Sequence, residues 1–357
     1  MITLILAAVL QVFLDGYTLR FGMFPSDKAG QNVWIEQVIA GIDTTADWTD
    51  WQRVRIGFSV AAMVAGSDTS HLHSLAGQLW EKQGIPVLWV DSPQEYPVPL
   101  VPVEEPLFGV SFFRIGSHRY YDFIQSHFFK LARRTVTIRE SEENRNPGRP
   151  LRLLEKPPAV IPDPVSRLAE WSWNGQSFSL IIRSDRNLIS FYRSLPVMDF
   201  RYALNFRFTA GDERQWLADL HQLFKKEGLD EYQIAESLRQ LILQVFPYQD
   251  DRSLYGREHL SWPPELFFAE GSDCEDRSIL LALLLMNLTH LPVYLADFPD
   301  HVSVLIRAPE TWNGDVYFID NQPYIYLDPT YYDAPFGEIP DLVRGLTPDV
   351  LKPQPYL

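Results

Sequence analysis

Three side chains in the last third of the chain could together break an amide bond. Cys274 lies in "GSDCEDRS", His301 opens "HVSVLIRA" and Asp328 sits in "YIYLDPT", each 27 residues beyond the one before. A thiol attacks a carbonyl carbon only after losing its proton, so it needs an imidazole within reach and a third group to hold that imidazole in the right tautomer. Cysteine, histidine and aspartate in that order supply all three parts. Taken singly, each has a plainer reading. A lone cysteine is most often a core residue, a histidine at a loop-to-strand junction is most often solvated, and an aspartate before proline is a common turn initiator. The ordered set is what points to covalent catalysis.

The elements that must carry these residues follow from local sequence. Ser272 stands three residues before Glu275, the S-x-x-E pattern of a capping box with Ser272 as N-cap and Glu275 as N3. Cys274 then falls in the first turn of a helix, where unpaired N–H groups and the positive end of the helix dipole favour a thiolate. The run "ILLALLL" (279–285) is the apolar anchor of that helix. Alternation along "HVSVLIRA" puts Val302, Val304 and Ile306 on one face, and His301 with Ser303 on the other, away from the core. A strand beginning near Tyr324, antiparallel to this one, brings Asp328 beside the imidazole.

The order "SDCEDRS", "DHVSVLI", "YLDPT" resembles the bacterial transglutaminase-like cysteine peptidases of the papain-like superfamily. Their signature is a cysteine at a helix N-terminus, then histidine and aspartate on adjacent strands, the aspartate often followed by Pro-Thr. The resemblance covers roughly residues 211–335, and "LILQVFPYQDD" is similar to the helix and tyrosine-containing turn that precede the nucleophile. It implies an α+β domain in which a helix-tip cysteine packs on an antiparallel sheet. It also implies acyl transfer on peptide or isopeptide amides through a thioester. Cys274 would be the nucleophile, His301 the general base and acid, and Asp328 the group that fixes the imidazole tautomer. Hydrolysis is the first expectation. A protein cross-linking transglutaminase, and an idle scaffold serving as a binding or assembly module, are the alternatives. The Cys274 N–H and the upstream Trp262 are expected in the oxyanion hole. Asp276 is expected near the site, paired with a cation such as Arg277 or Arg252. Asp273 and Glu275 straddle the cysteine, and in one branch of the family acids at those places belong to a calcium site; no cofactor is otherwise required. Ser272 and Arg277 stand where many members carry glycine and a small or aromatic residue, and Val302-Ser303 where many carry Ala-Trp. These departures remove no reacting group, but they leave the substrate class open.

Composition narrows the rest. At 357 residues the chain is long enough for two or three domains. A formal net charge of −15 opposes a broad nucleic-acid footprint, which needs clustered Lys and Arg. A single cysteine excludes an intramolecular disulfide and any cysteine-based zinc or iron–sulfur centre. There is no phosphate-cradling glycine loop and no H-E-x-x-H. Glu104-Glu105 and Glu142-Glu143 read as solvated. The opening "MITLILAAVLQVFLDG" has an apolar core that suits a secretory signal peptide and is too short to cross a bilayer; it reads equally as the first core strand or helix. Nothing later is apolar enough for a transmembrane helix. A periplasmic or secreted location is favoured over a cytoplasmic one.

Two proline-rich stretches, 91–106 and 145–164, read as extended surface connections, since proline at that density excludes helix and central strand. The expected organisation is a mixed α/β domain over 1–145, a linker over 146–165, a β-rich segment over 166–210 and the catalytic domain over 211–357. Asn174-Gly175 marks a hairpin. "FRYALNFRFT" alternates like a strand, with Tyr202, Leu204, Phe206 and Phe208 on one face. Asp230 caps a helix. The long aromatic stretch 246–271 is of a length more often functional than idle. The substrate is expected to be a protein or peptide, with a partner protein open to the N-terminal regions.

Overall fold

Asp15 and Gly16, both with positive φ (49° and 87°), turn β1 (Leu10–Leu14) into β2 (Tyr17–Phe21) as an antiparallel hairpin. The structure is a computed structural model and describes residues 10–91, 96–110, 112–124, 137–138, 148–208, 211–332 and 335–353. Residues 1–9 and Glu142-Glu143 lie outside the described residues. The end of the opening apolar run is β1, with Val12 and Leu14 buried. The chain forms two units, Met1–Pro162 and Asp163–Leu357, each mixing helix and sheet. No helix among the described residues is long and apolar enough to cross a membrane.

In the first unit, α1 (Lys28–Thr45), α2 (Asp50–Ala65) and α3 (Thr69–Lys82) each start on a side-chain cap, from Asp27, Thr49 and Asp68. A five-stranded sheet follows, in the order β5-β6-β4-β3-β7. Its strands are β3 (Leu88–Asp91), β4 (Pro97–Val103), β5 (Phe112–Ile115), β6 (His118–Tyr121) and β7 (Thr137–Ile138). The expected surface connection at 91–106 is therefore wrong over 97–103, because β4 is the middle strand and its residues 98–103 are buried. Two features reconcile its prolines with that place. Pro97 and Pro99 alternate, so their missing donors fall on one edge of the strand. The neighbours also divide the strand, β3 pairing with residues 97–100 and β6 with 101–103. Glu105 is likewise not solvated but buried, its carboxylate accepting its own N–H and those of Leu153 and Leu154.

The second unit opens with ten-residue strands β8 (Pro164–Trp173) and β9 (Gln176–Asp185), joined at Asn174-Gly175 with φ of 50° and 75°. Positive φ at both positions is the turn that matches strand twist. The rest of the supposed β-rich segment is helical: α4 (Arg186–Ser194), then a 3₁₀ turn over Phe200–Asn205 capped by Asp199. Phe206 and Phe208 do not alternate across a sheet but join an aromatic cluster with Tyr192, Trp216 and Trp262. Burial of large rings in irregular chain outweighs strand propensity there.

Next come α5 (Gly211–Lys226) and α6 (Glu231–Val245), the latter capped by Asp230 in a box with Gln233. Short helices α7 (Asp251–Tyr255) and α8 (Pro263–Leu266) break the long aromatic stretch. Then follows α9 (Cys274–Leu288), whose residues Ile279–Leu285 are all buried. A helix run apolar on every side belongs inside, and burying the six Leu and Ile side chains of residues 279–285 contributes on the order of 10 kcal/mol. It packs on an antiparallel sheet of order β12-β13-β11-β10-β14, against β10 (Val293–Phe298) and β11 (His301–Arg307). The remaining strands are β12 (Tyr317–Ile319), β13 (Gln322–Leu327) and β14 (Asp349–Leu351). Beside Leu305 on this sheet, Phe298, Tyr324 and Tyr326 pack with Ile339 and Val343. Strand β11 is thus buried on both faces, and His301 and Ser303 lie inside rather than facing away from the core.

Candidate active site

In β11 and β13, Val304 stands opposite Leu327, which carries the next residue, Asp328, toward the His301 end of β11. His301 Nε2 lies 2.8 Å from Asp328 Oδ2, and the two residues are only 5% and 3% exposed. The Tyr326 hydroxyl donates to the same Oδ2 at 2.8 Å, and the Thr330 N–H donates to Oδ1 at 2.7 Å. Burial opposes ionisation of Asp328. The His301 bond and charge, with the Tyr326 and Thr330 donors, outweigh it and hold the carboxyl below its ordinary range. With Nε2 donating to a carboxylate, Nδ1 is left as the imidazole's accepting nitrogen.

Helix α9 begins at Cys274, one position nearer the tip than a Ser272 cap would place it. The N-cap is Asp273, which accepts the Asp276 N–H at 3.3 Å. Ser272 is used elsewhere: its hydroxyl donates to Pro247 O at 3.1 Å and accepts from Arg277 Nε at 3.0 Å. Glu275 is freed from the capping box, and its Oε2 accepts the Cys274 S–H at 2.9 Å. This reverses the expected electrostatics. Burial, then the charge and hydrogen bond of Glu275, push the Cys274 thiol well up, against the Val302 N–H, which favours the thiolate. At rest Cys274 is therefore a protonated thiol.

Cys274 borders the His301–Asp328 pair without bonding to it. Val302, whose N–H reaches the sulfur, is the residue after His301. The Tyr331 ring lies 5.8 Å from the imidazole, and its hydroxyl is within electrostatic reach of both Asp328 and Cys274. Tyr331 is 40% exposed and Tyr248, on the Asp273–Glu275 side of the thiol, 54%. Among the described residues the thiol donates to Glu275 and forms no hydrogen bond with His301. As the first residue of the helix, Cys274 has a backbone N–H without an intrahelical acceptor, as an oxyanion donor requires. Trp262 is buried, its ring 5.5 Å from Tyr192 and 6.4 Å from Phe206, and its observed contacts are this aromatic packing.

The acids next to the cysteine are arranged differently from the expectation. Asp276 pairs with neither arginine: Arg252 sits 3.3 Å from Glu258, and Arg277 donates to Ser272, Pro329 and Phe246. Asp276 is 1% exposed; Oδ1 accepts the Ser261 N–H at 2.9 Å, and Oδ2 has no partner among the described residues. Asp251, Asp273 and Asp276 each place a carboxylate oxygen within 4.8 Å of the others. Burial, with repulsion from neighbouring carboxylates, raises all three: Asp251 to about 6, Asp273 to about 8, and Asp276 far above its ordinary range. The acidic set is therefore Asp251, Asp273 and Asp276, with Glu275 turned to the thiol, and not the Asp273–Glu275 pair. Three hard oxygen donors and one unsatisfied buried carboxylate oxygen suit a divalent cation, whose shell carbonyls and waters would complete.

Sequence reasoning missed a second pair close by. Glu265 is buried, and its Oε1 lies 2.9 Å from His259 Nε2 and 3.0 Å from Arg193 Nε. The available signal was a glutamate inside the apolar "WPPELFF", since a charge in such a run must find partners. Comparison with protein-family models, with curated proteins and with solved structures finds no match for this chain.

Proposed function

We propose that the protein is a cysteine-dependent acyl-transfer enzyme with a papain-like, transglutaminase-like arrangement in its second unit, hydrolysing peptide or isopeptide amides. The observation that carries this reading is the buried His301–Asp328 pair bordering the cysteine at a helix tip. In the reaction so written, Sγ of Cys274 attacks the amide carbon while its proton passes to Nδ1 of His301. The oxyanion takes the Cys274 N–H. The C–N bond breaks as His301 returns the proton to the leaving amine, leaving a thioester. His301 then deprotonates water, whose oxygen attacks the thioester, and the carboxylic acid departs as the thiol is restored. Asp328 holds Nε2–H throughout and stabilises the imidazolium. No cofactor enters these steps. A divalent cation, when bound, would be held by Asp251, Asp273 and Asp276 and would supply positive charge beside the helix tip.

The Glu275 bond, which keeps the thiol protonated, is the observation that favours the alternative of a non-catalytic scaffold. The two are separated with p-nitrophenyl acetate and mass spectrometry of the full chain. The enzyme reading expects acetylation of Cys274 that is lost in Cys274→Ala and slowed at least about a hundredfold in His301→Ala. A thiol acetylated at the same rate with and without His301 would sink it.

A further inference from the structure

We infer that Arg277 is a positioning residue for this site: its buried guanidinium locks the tip of the cysteine helix to the turn that carries Asp328. This rests on the acyl-transfer reading above. Arg277 is 2% exposed and lies in the first turn of α9, three residues after the cysteine. Its donors reach three separate segments. Nε donates to Ser272 Oγ at 3.0 Å just before the helix, Nη1 to Pro329 O at 3.0 Å just after Asp328, and Nη2 to Phe246 O at the end of α6. All three acceptors are neutral, although the charges of Asp328, Asp273 and Asp276 all act on the group.

A buried guanidinium without a bonded carboxylate is costly, and an aliphatic side chain would fill the same space more cheaply. Burial shows in its pKa, lowered to about 10. What an aliphatic chain cannot supply is a rigid planar fork of donors, and lysine's single ammonium cannot supply it either. The turn is gripped from another side as well. Arg239 of α6, also buried, donates Nη1 to Asp328 O at 3.2 Å. Two helices thus hold consecutive carbonyls, 328 and 329, and so place the carboxylate that holds His301. The Arg277 guanidinium also lies 5.3 Å from the centre of the Tyr248 ring, and Tyr248 bridges to Ser272. One side chain therefore joins the helix tip, the aspartate turn and the exposed ring near the thiol.

The test uses the full chain with Arg277→Met and Arg277→Lys, p-nitrophenyl acetate as acyl donor, and Cys274→Ala as blank. In Arg277→Met, kcat is expected to fall roughly 10- to 100-fold, the loss typical of a reacting group displaced by about an ångström, while KM stays within about twofold. The wild type is expected to show a downfield proton resonance from the His301–Asp328 bond, and in Arg277→Met that resonance is expected to broaden or move. Millimolar guanidinium ion is expected to restore part of the rate to Arg277→Met. Arg277→Lys is expected to lose at least about fivefold in kcat, and it carries the test alone if the methionine variant does not fold. Variants that fold, acylate at the wild-type rate and keep the downfield proton would overturn the inference. A wild type that forms no acyl-enzyme removes the acyl-transfer reading, and this inference with it.

Discussion

Among its described residues the second unit contains two buried imidazole–carboxylate pairs of nearly equal length, His301–Asp328 at 2.8 Å and His259–Glu265 at 2.9 Å. They differ in what surrounds the carboxylate. Glu265 also binds Arg193, so its charge is already matched by a permanent cation. The His259 ring lies 4.3 Å from the Tyr255 ring, tilted by 50°, and its backbone N–H is spent on Asp251. Asp328 instead takes neutral donors, Tyr326 and Thr330, and keeps its charge for whatever His301 becomes. Only the His301 pair borders a thiol. A histidine beside a carboxylate is therefore no signature by itself; what sets the His301 pair apart is a carboxylate with no arginine bonded to its oxygens, next to a thiol.

The largest expected effect tests that contrast head-on. His301→Ala should slow acetylation of Cys274 by roughly 10² to 10⁴-fold, while His259→Ala should change it less than about threefold. His259→Ala should instead lower stability by about 3 kcal/mol in urea unfolding, because Glu265 stays buried with one partner removed. A folded His259→Ala protein as inactive as His301→Ala would erase the distinction. Asp328→Asn comes next, with an expected loss near 10³-fold through the wrong tautomer. It also has a stability signature. The carboxyl is held below its ordinary range in the folded protein, so its contribution is complete above the unfolded value near 3.9 and disappears as pH falls through the lower folded value. The acid-unfolding profile of Asp328→Asn should lack that part of the slope. Tyr326→Phe removes one of two donors to Oδ2, worth about 1 kcal/mol, and should cost several-fold in rate; a larger loss than in Asp328→Asn would move the Tyr326 hydroxyl into the chemistry itself.

Much of this site was legible in the sequence because helices and short-range strands encode themselves locally. The Ile279–Leu285 run, the Asn174-Gly175 turn and the strand ends carrying His301 and Asp328 all follow from patterns a few residues wide. Long-range competition was not legible. Ser272 and Asp273 are equally good caps in isolation, and the choice falls to Asp273 because Arg277 and Pro247 claim the serine. The resting state of Cys274 was misread for the same reason: a helix tip favours the thiolate, but burial and the released Glu275 outweigh it. Proline density failed over 97–103 because the number of neighbours a strand must satisfy at each residue depends on register. His259 and Glu265 meet only because α8 brings the glutamate back toward the loop before it.

The smallest expected effect concerns the carboxylates that tie down the His259 loop, with Asp251 on the His259 N–H and Asp276 on the Ser261 N–H. In the acidic cluster they form with Asp273 the folded pKa values are raised, Asp251 to about 6, Asp273 to about 8 and Asp276 well above its ordinary range, so the folded state holds protons that the unfolded state has released. Stability should therefore fall as pH rises from about 4 to about 8, opposite in sign to the Asp328 contribution. In the presence of chelator, Asp276→Asn should raise stability at pH 8 by about 1–2 kcal/mol and by less at pH 5. Asparagine keeps an acceptor for Ser261 and turns a lone buried oxygen into an amide that can donate to Asp251 or Asp273. Calcium should restore the wild type at pH 8 and do little for the variant, and urea unfolding at the two pH values with and without calcium reads all four cases. A wild type equally stable at pH 5 and pH 8 in chelator would mean that these acids ionise freely. The acidic cluster beside Cys274 would then carry its charge at neutral pH without cost to the fold, and Glu275 alone would distinguish the helix tip from an ordinary one.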